Sequence, residues 1–304
     1  MNFNLENIKN VTIDIPNTWN LELVLKREDA IHDFVSGNKY RKLKYNILEA
    51  QKEDKKTLLT FGGAFSNHIA AVASVGQLYG FKTIGIIRGD ELESQIHNNP
   101  TLWFAKQCGM EFRFVSRTDY KLKTTSGFLD DLKHAFGDFY LIPEGGTNAL
   151  AIQGCEEILT KNDKEHFDFV CTAVGTGGTI SGIINSSGEQ QQILGFPALK
   201  GDFLSKDISK FVTKSNWQLI TDYHFGGYAK VNSELISFIN RFKSDFNVPL
   251  DPVYTGKMMF GICYLIEKGF FPKHSKILAI HTGGLQGIKG MNVLLKKKNL
   301  QTIN

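Results

Sequence analysis

Two lysines one helical turn apart give this chain its first candidate for chemistry. In Ser36-Gly37-Asn38-Lys39-Tyr40-Arg41-Lys42-Leu43, Asn38 is a good N-cap residue, and apolar residues follow at Leu43, Ile47 and Ala50 with Leu48 beside them. That spacing predicts an amphipathic helix with Lys39 at its first position. A lysine there meets the positive end of the helix dipole, which favours the neutral amine. Lys42 projects from roughly the same side. A neutral amine can attack an aldehyde, and a neighbouring permanent cation can hold an anion. On its own the stretch reads as an ordinary solvated basic face of Lys39, Arg41, Lys42 and Lys44. The glycine-rich segments elsewhere reverse that reading.

Gly175-Thr176-Gly177-Gly178-Thr179 joins an apolar strand to a helix start at Ile180. Glycines let backbone N–H groups close around an anion, the helix dipole favours the charge, and two threonine hydroxyls add donors. No Gly-Lys-Ser/Thr follows, so it is not a Walker loop, and Ile180 stands where a dinucleotide fingerprint needs its third glycine. A small phosphate monoester suits such a cup better than a dinucleotide. Ser66-Asn67-His68, after Gly62-Gly63, opens a second helix and taken alone is a plain cap. Gly145-Gly146-Thr147-Asn148 and Thr282-Gly283-Gly284 are further strand-to-helix turns.

The elements that must position these groups alternate regularly. Strands are expected at 21–27, 55–61, 82–87, 111–115, 139–142, 167–174, 191–196, 217–221 and 276–280. Helices are expected near 69–79, 102–107, 128–136, 146–159, from 180, 199–212, 235–246 and 257–268, with a last one after Gly284. Near-continuous apolar strands alternating with helices predict an α/β fold with mostly parallel sheets, and their number suits two sheets rather than one. Ligands in such folds bind beyond the C-terminal ends of strands, where every glycine cluster lies.

With 304 residues, the chain can bury a substantial core and is expected to hold two domains. A net charge of +4 is too mild to argue for nucleic acid. The Lys296-Lys297-Lys298 run reads as a solvated helix end. Cys108, Cys155, Cys171 and Cys263 are scattered, with neither a C-x-x-C pair nor a histidine at metal-ligand spacing, so no metal site and no disulfide scaffold is expected. Residues 1–10 lack the apolar core of a signal peptide, and no uncharged apolar run reaches the roughly 20 residues of a membrane span. A soluble cytoplasmic protein is expected.

Several of these segments together resemble one family. Lys26-Arg27-Glu28-Asp29, Gly37-Asn38-Lys39-Tyr40-Arg41-Lys42-Leu43, Ser66-Asn67-His68, Asp251-Pro252-Val253-Tyr254-Thr255-Gly256-Lys257 and His281-Thr282-Gly283-Gly284 occur in this order over most of the chain. The chain is similar to the 1-aminocyclopropane-1-carboxylate deaminases and D-cysteine desulfhydrases, pyridoxal-phosphate enzymes of the tryptophan-synthase β-like fold (fold type II). The resemblance implies a large cofactor-binding domain of residues 1–42 and 141–304, with a smaller α/β domain of residues 43–140 inserted into it and the active site in the cleft between them. It implies that Lys39 carries the pyridoxal 5'-phosphate covalently, and that Lys42 and Gly175, Thr176, Gly177, Gly178 and Thr179 hold its phosphate. It gives Asn67 to the cofactor's phenolic oxygen, and Ser66, Asn67 and His68 to the substrate. Tyr254 is implied to lie against the ring with its hydroxyl near the reacting carbon, Tyr228 to reach the substrate, and Thr255 and Thr282 to stand beneath the cofactor. A homodimer is implied as well.

Two departures concern the pocket. Ser36 stands where the family usually has glycine, and Ala64-Phe65 replaces a more usual Ile-Gln, so Phe65 is expected to narrow the substrate site. The expected reaction is a lyase or deaminase reaction on a small amino acid. Thr255 and Thr282 replace the Glu and Leu typical of the deaminases, which favours elimination of hydrogen sulfide from D-cysteine, giving pyruvate and ammonia. Opening of the cyclopropane amino acid to 2-oxobutanoate and ammonia is the alternative. A non-catalytic pyridoxal-phosphate binding homologue and a nucleotide-binding α/β protein are further readings; Lys39, Ser66 and Tyr254 argue against the first of these.

Overall fold

The computed structural model describes residues 5–304. Ten strands form two sheets. The smaller is wholly parallel, in the order β5-β4-β3-β6, from β3 (Thr57–Gly63), β4 (Lys82–Arg88), β5 (Glu111–Val115) and β6 (Tyr140–Ile142). The larger contains β1 (Asn10–Thr12), β2 (Glu22–Lys26), β7 (Phe169–Val174), β8 (Gln192–Pro197), β9 (Trp217–Leu219) and β10 (Lys276–Ile280), in the order β1-β2-β10-β7-β8-β9. Only β1 runs antiparallel, pairing Val11 with Leu25 at the sheet edge.

Buried strands explain the apolar runs. All of β7 beyond Phe169 is buried, as is β10 beyond Lys276, because helices cover both faces of the large sheet. One face packs on α9 (Ser233–Phe246) and α10 (Thr255–Glu267) through residues such as Phe242, Met258 and Ile262. The other packs on α7 (Gly178–Ser186) through Ile180, Ile183 and Ile184. The small sheet is covered by α1 (Asn38–Lys52), α2 (Asn67–Tyr79) and α3 (Pro100–Gln107) on one face and by α4 (Ser126–Phe136) on the other.

The sequence expectations differ from the structure in five places. The helix expected over 146–159 is a single helical turn at Glu144–Gly146 followed by α5 (Ala149–Glu156). The segment 199–212 is helical only in α8 (Phe203–Ser209). The short edge strand β1 and the polar helix α6 (Lys161–His166) were not expected. Asn38 does not cap α1: Gly37 is the N-cap, and Asn38 is the first helical residue. The last helix is α11 (Gly287–Lys297). No helix among the described residues is long and apolar enough to cross a membrane.

Candidate active site

The starts of α1, α2, α7 and α10 and the turns after β6 and β10 pack against one another. Gly37 explains how α1 is placed. Its φ is +55°, and a Cβ there would lie 2.2 Å from the Thr282 carbonyl oxygen, so only glycine lets α1 start against the turn after β10. Ser36 fits beside it: a Cβ on Gly283 would come within 2.4 Å of the Ser36 Oγ. The same helix is fixed by Arg41, whose Nε and Nη2 donate to the two carboxylate oxygens of the fully buried Glu28 at 2.9 and 2.8 Å. Two of the motif residues therefore serve to hold Lys39 in place.

Lys39 donates to Asn38 Oδ1 at 3.0 Å, while Asn38 Nδ2 donates to Thr179 Oγ1 at 2.9 Å. Asn38 thus ties the reactive amine to α7. Burial, and next the charge of Lys42, push the Lys39 ammonium down to about 7. The sequence argument expected a neutral amine from the helix dipole; the structure adds desolvation and a neighbouring cation as causes. Because the group must lose its proton to act as a nucleophile, reloading of cofactor-free protein should accelerate as pH rises through 7. It should then level off well below the usual lysine range. A stopped-flow measurement of pyridoxal-phosphate uptake against pH checks this; a rate that keeps climbing to pH 10 would mean that Lys39 is an ordinary lysine.

Lys42 is buried and donates to the Gly145 carbonyl, Thr147 Oγ1 and Thr176 Oγ1 at 3.0, 3.1 and 3.3 Å. Burial lowers its proton affinity too. Gly178 opens α7 facing this amine: a Cβ there would lie 2.8 Å from Thr147 Oγ1 and 3.2 Å from Lys42 Nζ. The result is a cup of backbone N–H groups, two threonine hydroxyls that touch at 2.6 Å, and one ammonium. That donor set suits a phosphate. Thr147 belongs to the cup and was read from sequence only as part of a turn; nothing local marks it, since β6 must pair with β3 to bring it beside Thr176.

On the opposite side Ser66 caps α2, its Oγ accepting from the His68 and Ile69 amides at 3.2 and 3.3 Å. The hydroxyl hydrogen stays free to donate. Asn67 Oδ1 is buried with no hydrogen-bond partner, and the amide faces the turn after β10, where a Cβ on Gly284 would sit 3.0 Å from Nδ2. A buried amide oxygen without a partner leaves room there for a polar group of a bound ring. His68 follows in the first turn of α2. Its ring is buried, and its Nε2 meets Thr60 Oγ1 at 2.9 Å; that hydroxyl donates onward to the Ile142 carbonyl. Nε2 therefore carries the hydrogen. The ring packs beneath Gly146, and burial with the charges of Lys39 and Lys42 holds it neutral. The ring supports the turn after β6, and its Nδ1 is buried without a hydrogen-bond partner.

Tyr254 is the N-cap residue of α10 and lies against the phosphate loop, a Cβ on Gly175 falling 3.1 Å from its Cε1. Burial pushes its hydroxyl well above the usual tyrosine range, so it remains a donor. The Tyr228 ring meets Tyr254 edge-on at 6.2 Å. Thr255 is fully buried and paired with Asp251: its hydroxyl donates to Asp251 Oδ1 at 2.8 Å and accepts from the Asp251 amide at 2.9 Å. Asp251 Oδ1 also accepts from the Thr255 amide, and Oδ2 from the amides of Val253 and Tyr254. Four donors occupy this carboxylate. Thr282 is buried in the turn against Gly37. Phe65 does not close on the cup; its ring covers Gly290 of α11, where a Cβ would lie 2.7 Å from Cδ1, and it stays 42% exposed.

Parallel sheets with a lysine-bearing helix start, a phosphate cup and an orphaned amide define a pyridoxal-phosphate enzyme. Residues 12–283 match the family model described as pyridoxal-phosphate dependent enzyme, and the chain belongs to that family. Within it, the relatives are deaminases and desulfhydrases. The chain is 31% identical to a putative 1-aminocyclopropane-1-carboxylate deaminase of Thermotoga maritima, covering 89% of this chain and 91% of that one. It is 30% identical to a bifunctional D-cysteine desulfhydrase/1-aminocyclopropane-1-carboxylate deaminase of Arabidopsis thaliana, covering 89% and 76%. A crystal structure of an ACC deaminase homologue superposes with a TM-score of 0.76 at 26% identity, covering 90% and 89%. The protein is a pyridoxal-phosphate dependent enzyme of this lyase and deaminase group, and its cofactor is pyridoxal phosphate.

Proposed function

We propose that the enzyme eliminates hydrogen sulfide from D-cysteine, and that water hydrolyses the unsaturated amine left behind to pyruvate and ammonia. The observation that carries this reading is the closed Asp251–Thr255 pair at the start of α10. The family resemblance implies that Thr255 lies beneath the cofactor, where the deaminases typically carry a glutamate. Here the Thr255 hydroxyl hydrogen is committed to Asp251, and the Asp251 carboxylate is saturated by four donors. Neither residue has a free hydrogen-bonding position to offer the ring nitrogen. Bound pyridoxal phosphate supplies an electron sink; without a carboxylate partner that sink is weaker. Expelling a thiol from the β-carbon makes a smaller demand on it than opening a cyclopropane, which has no good leaving group.

The chain's own groups have these roles. Lys42, Thr147, Thr176 and the α7 N-terminus bind the phosphate. Ser66 and the first amides of α2 receive the substrate carboxylate, favoured there by the helix dipole. Lys39 would hold the cofactor, and its Nζ takes the α-proton of the substrate; its lowered proton affinity suits a base working near neutral pH. Tyr254, kept protonated by burial, donates toward the departing sulfur, and Tyr228 closes the substrate side. A homodimer is part of this proposal.

The test compares two products made by one enzyme preparation. Pyruvate from D-cysteine should form faster than 2-oxobutanoate from 1-aminocyclopropane-1-carboxylate. A clear preference for the cyclopropane substrate, or turnover confined to L-amino acids, would sink the reading.

A further inference from the structure

The loop that carries Tyr228 is held by a residue with no part in the chemistry above. Phe225, Gly226, Gly227 and Ala229 all have positive φ, at 53°, 89°, 112° and 55°. Phe225 and Ala229 are side-chain-bearing residues in the left-handed region, which persists only where the surroundings enforce it. The turn brings the carbonyls of His224 and Gly227 to one buried point, and there Lys257 Nζ donates to both at 2.8 Å.

Lys257 is 2% exposed and stands in the first turn of α10, whose N-cap residue is Tyr254. No carboxylate forms an ion pair with it among the described residues; the nearest acid acting on it is Asp251, and burial brings it down to about 8. Burying an ammonium without an ion-pair partner is costly, and a Leu or Met would fill the same space without that cost. What lysine adds is a second donor to each of two carbonyls, beside the Gly227 amide on His224 and the Lys230 amide on Gly227, and so a tie from α10 to a turn otherwise held only by its own backbone. Tyr228 itself is 41% exposed, so packing alone holds its ring loosely.

We propose that Lys257 is a positioning residue, whose hydrogen bonds to His224 and Gly227 hold the 224–229 loop so that Tyr228 stands edge-on to Tyr254. One helix start then places both tyrosines, Tyr254 directly and Tyr228 through the clasp. A neutral amine still has two N–H donors, so the clasp persists when Lys257 loses its proton. The inference rests on the reading of Tyr228 as a residue that reaches the substrate.

The test uses holoenzyme carrying Lys257→Met, which fills most of the same space and removes the donors, alone and combined with Tyr228→Phe. Amide hydrogen exchange of residues 223–230 should accelerate about ten-fold or more in Lys257→Met while β7 keeps its protection. The kcat/KM for D-cysteine should fall about ten-fold in the wild-type background but about two-fold or less beside Tyr228→Phe, because both changes remove the same contact. Unchanged loop exchange overturns the clasp, and losses that multiply independently show that Lys257 does not act through Tyr228. If Lys257→Met fails to fold, Lys257→Gln is one bond too short to reach both carbonyls and should show the same loop-confined acceleration; wild-type protection in it overturns the clasp. If the wild type turns over none of the amino acids tested, the functional reading fails, and the exchange measurement still decides the role of Lys257.

Discussion

Lys39→Ala protein is expected to lose turnover by about 10²–10⁴-fold or more, the range that removal of a positioned proton carrier produces. It should also lose the visible absorbance of the covalently held cofactor. The size of the effect follows from the lack of a substitute. Lys42, the next amine, is occupied by Gly145, Thr147 and Thr176 and belongs to the phosphate cup. Lys257 is clasped by two carbonyls, and Lys26 is buried and paired with Asp163 at 2.7 Å. Lys42→Ala is the informative comparison: it should bind cofactor more weakly yet retain the absorbance once saturated. Equal loss of absorbance in both variants would show that the two amines do not divide the work as described.

Gly178→Val should weaken cofactor binding on the order of 10²-fold, the cost of losing one or two charge-assisted hydrogen bonds. Gly178 is not among the glycines with positive φ, so the substitution brings little backbone strain. Its Cβ would stand against Thr147 Oγ1 and Lys42 Nζ, in the space that the anion needs. Dialysis followed by measurement of retained cofactor checks it. Unchanged retention would reduce Gly175–Thr179 to a simple turn. Gly177 is a poorer test site, since its φ of +84° and its contact with Ile208 would unsettle the fold for reasons unrelated to phosphate.

What could be read from sequence was what local pattern determines. β5 and β10 were expected at their observed bounds, because β5 alternates polar and apolar residues and β10 is an apolar run. The starts of α2 and α7 were readable because Ser66 is a cap and Gly177-Gly178 a turn. β1 is three residues long and its place depends on pairing with β2, so no periodicity marks it. α6 is polar throughout; its signature is the capping box of Thr160 with Asp163, which is readable in principle. The N-cap of α1 went astray because tertiary contact decides it. Gly37 must accommodate the Thr282 carbonyl, and Asn38 turns inward to Lys39 and Thr179 instead of capping. Thr255 shows the same limit: its identity was readable, but the pairing that removes its hydroxyl hydrogen depends on how the Asp251 turn folds back onto α10. Phe65 could be flagged as unusual, whereas its position over Gly290 depends on how α11 meets the start of α2.

Borohydride reduction of the holoenzyme, followed by proteolysis and mass mapping, tests the centre of the site most directly, because it fixes the cofactor to whichever amine holds it. The cofactor mass is expected on the peptide containing Lys39. Its appearance on a peptide containing Lys26 or Lys257, or on Lys42 with Lys39 unmodified, would contradict the assignment.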